Sequence, residues 1–458
     1  MTDGPRHIAV IDIGKTNAKL ALVDRAAMVE LAVVTRPNRV LPGPPYPHFD
    51  VQGHWDFIVA GLAKFQVSHG IDGISITTHG ACAVLLDADG ALATPVLDYE
   101  YDGPAATAAD YDALRPDFAV TGSPRLGAGL NLGAQLHWLL ARDAGLHDRV
   151  HHVLTWPQYW GYLLTGRMAC DLSSLGCHTD LWEPAKAKFS TLADSLGLRA
   201  KIAPPCKPTD ELGTLLPDIA RTTGLSSKTP VICGIHDSNA SLLPHLITQS
   251  APFAVVSTGT WVVCMAVDGT GPIMDETRDV LINVAADGRA VPSARFMGGR
   301  EYEMARAGRA ALATPADEAA VLATGLTLMP SVVATGGPFP HRSMRWSAPP
   351  AGFNDGVQQA ALSFYLALMT AECLVLTGAI GPVIVEGPFA ANPAYCRMLA
   401  TATGRPVLCA ASQTGTSIGA SLLFGAPDSP PPLADAVVTA NTLDYRRYAL
   451  AWRDALAH

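Results

Sequence analysis

Asp12-Ile13-Gly14-Lys15-Thr16-Asn17-Ala18-Lys19 closes one apolar run, Ile8 to Ile13, and opens the next, Ala18 to Val23. Two β-forming runs joined by a short polar turn containing Gly read as a hairpin. The same pattern recurs in the second half of the chain. Ala254-Val255-Val256-Ser257-Thr258-Gly259-Thr260 is an apolar run entering a small polar turn, and Trp261 to Val267 is its return. One recurrence at this distance reads as two related domains, not as a solenoid. The boundary falls near Leu246 to Pro252, which divides the chain into 1–248 and 249–458. Length agrees, because 458 residues exceed one ordinary core at about 150 residues per domain.

Composition excludes several classes. Charged residues are 16% and the hydrophobic set 49%, a core-rich globular balance. A net charge of -9, with no run of Lys and Arg, leaves no footprint for nucleic acid. Nine cysteines, an odd number with no C-x-x-C pair, read as reduced thiols of a cytoplasmic protein. Met1 to Ala9 carries Asp3, Arg6 and His7 and lacks the apolar core of a signal peptide. The most membrane-like stretch, Ala360 to Val385, is interrupted by Glu372, Gly378, Gly381 and Pro382. It reads as a buried helix followed by a strand, so no membrane partner is expected.

The polar turns carry the chemistry. Backbone N–H groups exposed at a small, Gly-containing turn form a concave site for phosphate oxygens. Asp12 would repel phosphate unless a Mg²⁺ ion lies between them, and Lys15 and Lys19 add positive charge. Read alone, the segment also fits a plain hairpin with a solvated Asp-Gly turn. The Thr258 turn offers hydroxyls and amides of the same kind, or an ordinary β-turn. Between them, Gly234-Ile235-His236-Asp237-Ser238-Asn239-Ala240 follows the strand Pro230 to Gly234 and delivers Asp237 to a helix start. A helix N-terminus favours carboxylate charge, which suits a general base for a hydroxyl, or a simple N-cap.

Gly73 to Gly80 reads as a strand ending at His79 in a Gly loop, and Ala81 to Asp87 as another strand. His79 is placed to contact a polar ligand, with a satisfied structural His as the alternative. Glu100 and Asp102, in Tyr99-Glu100-Tyr101-Asp102, are placed to bond sugar hydroxyls or to form an exposed acidic loop. Leu132 to Ala141 and Val153 to Leu164 have helical spacing. Val383 to Glu386 is a buried strand ending in the tight loop Gly387 to Pro393, and Ala394 to Thr403 a helix stopped by Gly404. The small-residue stretch Thr414 to Ala420 opens a further helix, shaped either as a shelf for adenosine or for close helix packing.

Taken in order, these pieces resemble the FGGY carbohydrate kinases over nearly the whole chain. The resemblance rests on the Asp12 to Asn17 turn and His79-Gly80. It runs on through Leu163-Leu164-Thr165-Gly166, Cys170-Asp171-Leu172-Ser173-Ser174, Gly213-Thr214-Leu215, Thr223-Gly224-Leu225 and Gly234 to Asp237. It ends with Ser257 to Thr260, the Gly387 loop and Gly404-Arg405-Pro406-Val407. It implies an α/β, two-domain, actin-like (ribonuclease H-like) ATPase fold, with a central mixed sheet in each domain and Asp12 and Asp237 facing each other across the interdomain cleft. It implies transfer of the ATP γ-phosphate to a hydroxyl of a small sugar, a ketose such as L-rhamnulose, L-fuculose or xylulose. By position, Asp237 is the general base and, with Asp12, a carboxylate at Mg²⁺. Gly14, Lys15, Thr16, Asn17 and Lys19 hold ATP in the first turn and Thr258, Gly259 and Thr260 in the second. Gly387 and Asn392 lie at the adenosine, and His79, Glu100, Asp102 and Asp237 at the sugar. A homodimer is compatible with the resemblance.

Two departures stand out. Where the family carries a run of glycines this chain has Gly387-Pro388-Phe389, and Pro388 removes a backbone donor. No Arg closely follows Glu100 or Asp102, where the family has an Asp and, two positions on, an Arg. A catalytically silent sensor on the same fold, or another ATPase of this fold class, is therefore an alternative reading.

Overall fold

The computed structural model describes residues 4–308, 312–410, 415–427, 434–439 and 442–456. Thr414, at the head of the small-residue stretch, lies outside them. The described residues fall into two compact units. One is drawn from Met1–Thr248, Ile282–Ala290 and Thr414–Pro431, the other from Gln249–Leu281, Val291–Gln413 and Pro432–His458.

Each unit is built on a mixed sheet of seven strands. In the first, His7–Ile13 pairs antiparallel with Asn17–Asp24 and parallel with Gly73–Thr78. Outward from these, Asn17–Asp24 runs antiparallel to Val29–Pro37, and Gly73–Thr78 parallel to Pro230–Ile232. In the second, Phe253–Thr258 pairs antiparallel with Val262–Val267 and parallel with Val383–Glu386. Val262–Val267 is antiparallel to Ala290–Phe296, and Val383–Glu386 parallel to Val407–Ala410. Five strands thus share one order and one set of directions in both sheets. The recurring hairpins are the visible part of a recurring sheet.

The central strands read as unbroken apolar runs because helices cover them. Ile8, Ala9, Val10 and Ile11 are fully buried, as are Ala254, Val255 and Val256. Helix Val51–Ser68, capped by Asp50, lies against the first sheet, and a Cβ on its Gly61 would meet Leu20. The apolar stretch expected to be a helix and a strand is both: Asp355–Leu376 is a core helix of the second unit and Val383–Glu386 a strand. That helix is long and apolar enough to cross a membrane, and 89% of its apolar window is buried. The expected helix Val153 to Leu164 is corrected at its start. His152–Thr155 is a strand, paired antiparallel with Ala83–Leu86, and the helix is Trp156–Thr165. Pro157 sits in the first helical turn, where its missing N–H costs nothing.

The small-residue helix Gly415–Ser421 is closely packed. It lies against helix Asp237–Thr248, and a Cβ on Gly419 would stand 1.8 Å from the Ala240 carbonyl oxygen. Ser75 Oγ donates to the Ala420 carbonyl at 2.7 Å, tying the helix to the sheet. Gly419→Ala is expected to destabilise the protein by about 1–3 kcal/mol. The loss would be read as a lower midpoint in thermal or denaturant unfolding, and an unchanged midpoint would show that the helices separate freely.

Candidate functional site

Three parallel strand ends meet in the first unit. Ile13 is in register with Thr78, and so, from the other side, is His236. The residues at these ends are Asp12, His79 and Asp237, and ligands of α/β sheets sit at the carboxyl ends of strands. The expectation that Asp12 and Asp237 face each other from two domains is corrected: both stand in the first unit, on strand ends either side of Gly73–Thr78. The His79 amide donates to the Ile13 carbonyl at 2.9 Å, which locks two of the ends together.

Asp237 is the first residue of helix Asp237–Thr248. Its Oδ1 accepts from the Ser238 amide at 2.6 Å and the Ser238 hydroxyl at 3.3 Å, and His236 Nε2 lies 3.3 Å away. Oδ2 takes no hydrogen bond among the described residues, and the side chain is one-third exposed. The backbone that presents it is braced by residues of the Cys170 to Ser174 motif. Asp171 Oδ2 accepts from the Ser173 and Ser174 amides and from the Ser173 hydroxyl, whose oxygen in turn accepts from the His236 amide at 3.0 Å. Gln158 donates to the Cys233 carbonyl at 2.8 Å. Cys177 Sγ lies 3.6 Å from His236 Nε2. Burial opposes both charges, yet His178 and His236 pull the Cys177 thiol down to about 5. His236, against its own burial, is held up at about 10 by Cys177 and Asp237.

Asp12 holds its charge against its surroundings. Burial raises its carboxyl to about 6, Lys19 works against this, and the Asp237 charge adds to it. Lys19 Nζ stands 3.6 Å from Asp12 and 3.2 Å from Glu30. The turn that follows is fixed by residues that sequence reading passed over. Gly14 N–H donates to the Asn17 carbonyl at 3.0 Å. Asn38 donates its side-chain amide to the Gly14 carbonyl at 2.9 Å and its backbone N–H to the Thr16 carbonyl at 2.9 Å. His54 Nε2 donates to Asn38 Oδ1 at 2.7 Å, and burial pushes His54 down to about 4, so it is neutral. The turn opens on a cavity of about 470 Å³, lined by Asp12, Gly14, Lys15, Thr16, Asn17 and Lys19 with Thr35.

Lys15, on the wall of this cavity, carries its ammonium to the neighbouring loop. It pairs with Asp98 and, at 3.2 Å, with Glu100, and its ammonium lies over the rings of Tyr99 and Phe49 at 4.7 and 5.2 Å. Asp98, one residue before the stretch singled out by sequence, is the buried partner. Asp102 is exposed at the start of a short 3-10 turn and caps nothing with its side chain. His79 is buried between the Phe49 and Tyr99 rings, each at 5.2 Å. Its Nδ1 lies 2.8 Å from the Gly80 carbonyl, which can only accept, so Nδ1 carries the proton. Burial pushes the ring down to about 4, leaving Nε2 bare. Among the described residues Nε2 has no partner.

In the second unit two residues of the expected phosphate turn, Thr258 and Gly259, are tied up internally. Thr258 Oγ1 donates to the Glu386 carbonyl at 2.5 Å and accepts from the Phe389 amide at 3.1 Å. Gly259 N–H donates to the Trp261 carbonyl at 2.9 Å, and Thr260 is exposed. Gly387 has φ of 80° and packs so tightly that a Cβ would stand 2.0 Å from the Thr258 carbonyl oxygen. Asn392 caps helix Pro393–Thr403 through the Tyr395 amide and donates to Ser363 Oγ at 3.0 Å. Thr260, Phe389, Asn392, Gln359 and Arg300 are among the walls of a cavity of about 1120 Å³.

Among the described residues no group of three or more His, Cys, Asp or Glu converges as a self-sufficient metal cage. Asp12 and Asp237, close enough for the Asp237 charge to raise the Asp12 carboxyl, fit Mg²⁺ of the kind held by one or two carboxylates plus substrate phosphates.

Comparison with known proteins follows this geometry. Residues 7–244 match the N-terminal domain of the FGGY family of carbohydrate kinases, and residues 250–432 match the carbohydrate kinase FGGY C-terminal domain. A carbohydrate kinase from Novosphingobium aromaticivorans superposes with a TM-score of 0.90 at 36% identity, over 98% of this chain and 99% of that one. A ligand-bound xylulose kinase from Lactobacillus acidophilus shares the fold, with a TM-score of 0.80 at 16% identity over 98% of each chain. The L-fuculokinase of Salmonella typhi is 26% identical over 275 residues, 57% of this chain, and the match spans 57% of that protein's length.

The raised Asp12 carboxyl has a signed consequence for stability. Below about pH 4 Asp12 is protonated in both folded and unfolded chains. Above about pH 6 it is charged in both, and the folded state bears the cost of burying that charge, up to about 3 kcal/mol. The ligand-free protein therefore loses this contribution as pH rises through that window. Asp12→Asn is expected to raise Tm at pH 7.5 relative to the wild type. A lower Tm for the variant would contradict the strained charge.

Proposed function

The chain belongs to the FGGY family of carbohydrate kinases, and on that premise we propose that it phosphorylates a hydroxyl of a small ketose, of the L-rhamnulose, L-fuculose or xylulose kind, with ATP. The observation that carries the reading is the pairing of two open acceptors in one sheet edge: His79 Nε2, buried and bare, and Asp237 Oδ2, unbonded. Both call for hydroxyl donors, and the Phe49 and Tyr99 rings beside His79 suit the apolar face of a sugar. Residues 1–248 would carry the sugar and the first phosphate turn, and 249–458 the nucleotide.

In this reading Asp237 takes the proton of the acceptor hydroxyl as its oxygen bonds to the γ-phosphorus. The bond from phosphorus to the bridging oxygen breaks and ADP leaves. His79 orients a second hydroxyl, and Lys19 neutralises charge beside Asp12. Mg²⁺ held by Asp12 and Asp237, when bound, would supply charge neutralisation of the phosphates. Catalysis is then positioning and electrostatics, with proton removal worth about 10²–10⁴ in rate. Nine free cysteines support a reducing, cytoplasmic setting.

ADP release measured across a panel of ketoses, aldoses and polyols tests the reading, and sugar-dependent turnover with a ketose is the expected outcome. Asp237→Asn should lower turnover at least about a hundredfold with ATP binding retained. Near-normal turnover would remove the base assignment. The committed amides of the Pro388 loop favour one alternative, a catalytically silent sensor, and it would be recognised by sugar or nucleotide binding with no turnover on any member of the panel.

A further inference from the structure

The nucleotide side of the second unit has fewer free backbone donors than its sequence promises. Thr258 spends its hydroxyl on Glu386 and Phe389, the Gly259 amide is turned to Trp261, and Pro388 has no N–H. The Ala390 amide donates to the Gly387 carbonyl and the Asn392 amide to that of Phe389. A polyphosphate lying along this turn needs positive charge or donors from elsewhere.

Helix Gly298–Arg306 supplies a candidate. Its Gly299 is pressed against the turn, since a Cβ there would stand 2.0 Å from the Gly259 carbonyl oxygen. The Arg300 amide reaches the Thr260 carbonyl at 3.4 Å, so this Arg is anchored directly beside the turn. Its side chain is exposed, lines the 1120 Å³ cavity, and forms no hydrogen bond or ion pair among the described residues. Glu303, the charged neighbour on the same wall, is already paired with Arg306 at 3.0 Å.

We propose that Arg300 is a phosphate-contacting residue whose guanidinium supplies, to the polyphosphate of the bound nucleotide, positive charge and donors in place of those that Thr258 and Gly259 have committed internally. The planar fork of Arg pairs with phosphate oxygens two at a time, which a Lys cannot reproduce. This assignment rests on the nucleotide reading of that cavity.

The test is calorimetric titration of the full chain with ADP and, separately, with adenosine. For Arg300→Ala, ADP affinity should fall about tenfold to a hundredfold, the range for a lost charged hydrogen bond, with adenosine affinity unchanged. Arg300→Lys should recover only part of the loss. Unchanged ADP affinity in Arg300→Ala overturns the proposal while leaving the nucleotide reading intact. An equal loss for adenosine and ADP also overturns it, because the residue would then be shaping the cavity. If the wild type binds neither ligand, the nucleotide reading itself fails and takes the assignment with it.

Discussion

Strand Gly73–Thr78 is hydrogen-bonded in parallel on both sides, to His7–Ile13 on one and to Pro230–Ile232 and Ile235–His236 on the other. All six of its residues are buried, so neither face can be exchanged for the other. A slip of one residue would turn every side chain to the opposite face. The position of His79 relative to Asp12 and Asp237 is therefore a consequence of main-chain pairing inside a closed core. The close crossing at Gly419 and the Asp171 brace beneath His236 hold that pairing from outside the sheet.

What gathers at those strand ends is electrostatically unfavourable without a ligand. Asp12 is buried, the Asp237 charge works against its own, and Lys19 is shared with Glu30. The fold supplies a scaffold rigid enough to keep them there, and the cation and substrate of the proposed reaction would complete the compensation. A site of this type is stabilised by its ligands more than by its own side chains.

Much of this was legible in the sequence, and the reasons are local. The hairpins at Asp12 and Thr258 were visible because a small polar turn between two apolar runs has few other outcomes. The buried helix Asp355–Leu376 was visible because its length and interruptions are one-dimensional facts. The Val153 region was misread because Val, Leu and Thr before Pro157 pair with a strand some 70 residues earlier, a partner no window contains. Asn38, His54 and Asp98 went unseen for the same reason. Each serves the site only through a contact across the fold, to Gly14, to Asn38 and to Lys15 in turn. Thr258 was read as a phosphate hydroxyl because residue type shows what a side chain can donate, and not to whom it has already donated. Glu100 and Asp102 looked equivalent in the chain, and only Glu100 is drawn to Lys15.

The Gly80 carbonyl does more than satisfy a ring nitrogen. By claiming the one proton of a neutral His79 it leaves the pocket a lone pair and nothing to give in return. Such an atom attracts an alcohol and repels an oxyanion. In the proposed reaction, a phosphate oxygen brought to that point would meet repulsion where the parent alcohol finds a hydrogen bond. The tautomer of one buried imidazole would then set a polarity for traffic through the site, favouring an uncharged hydroxyl over an anionic group.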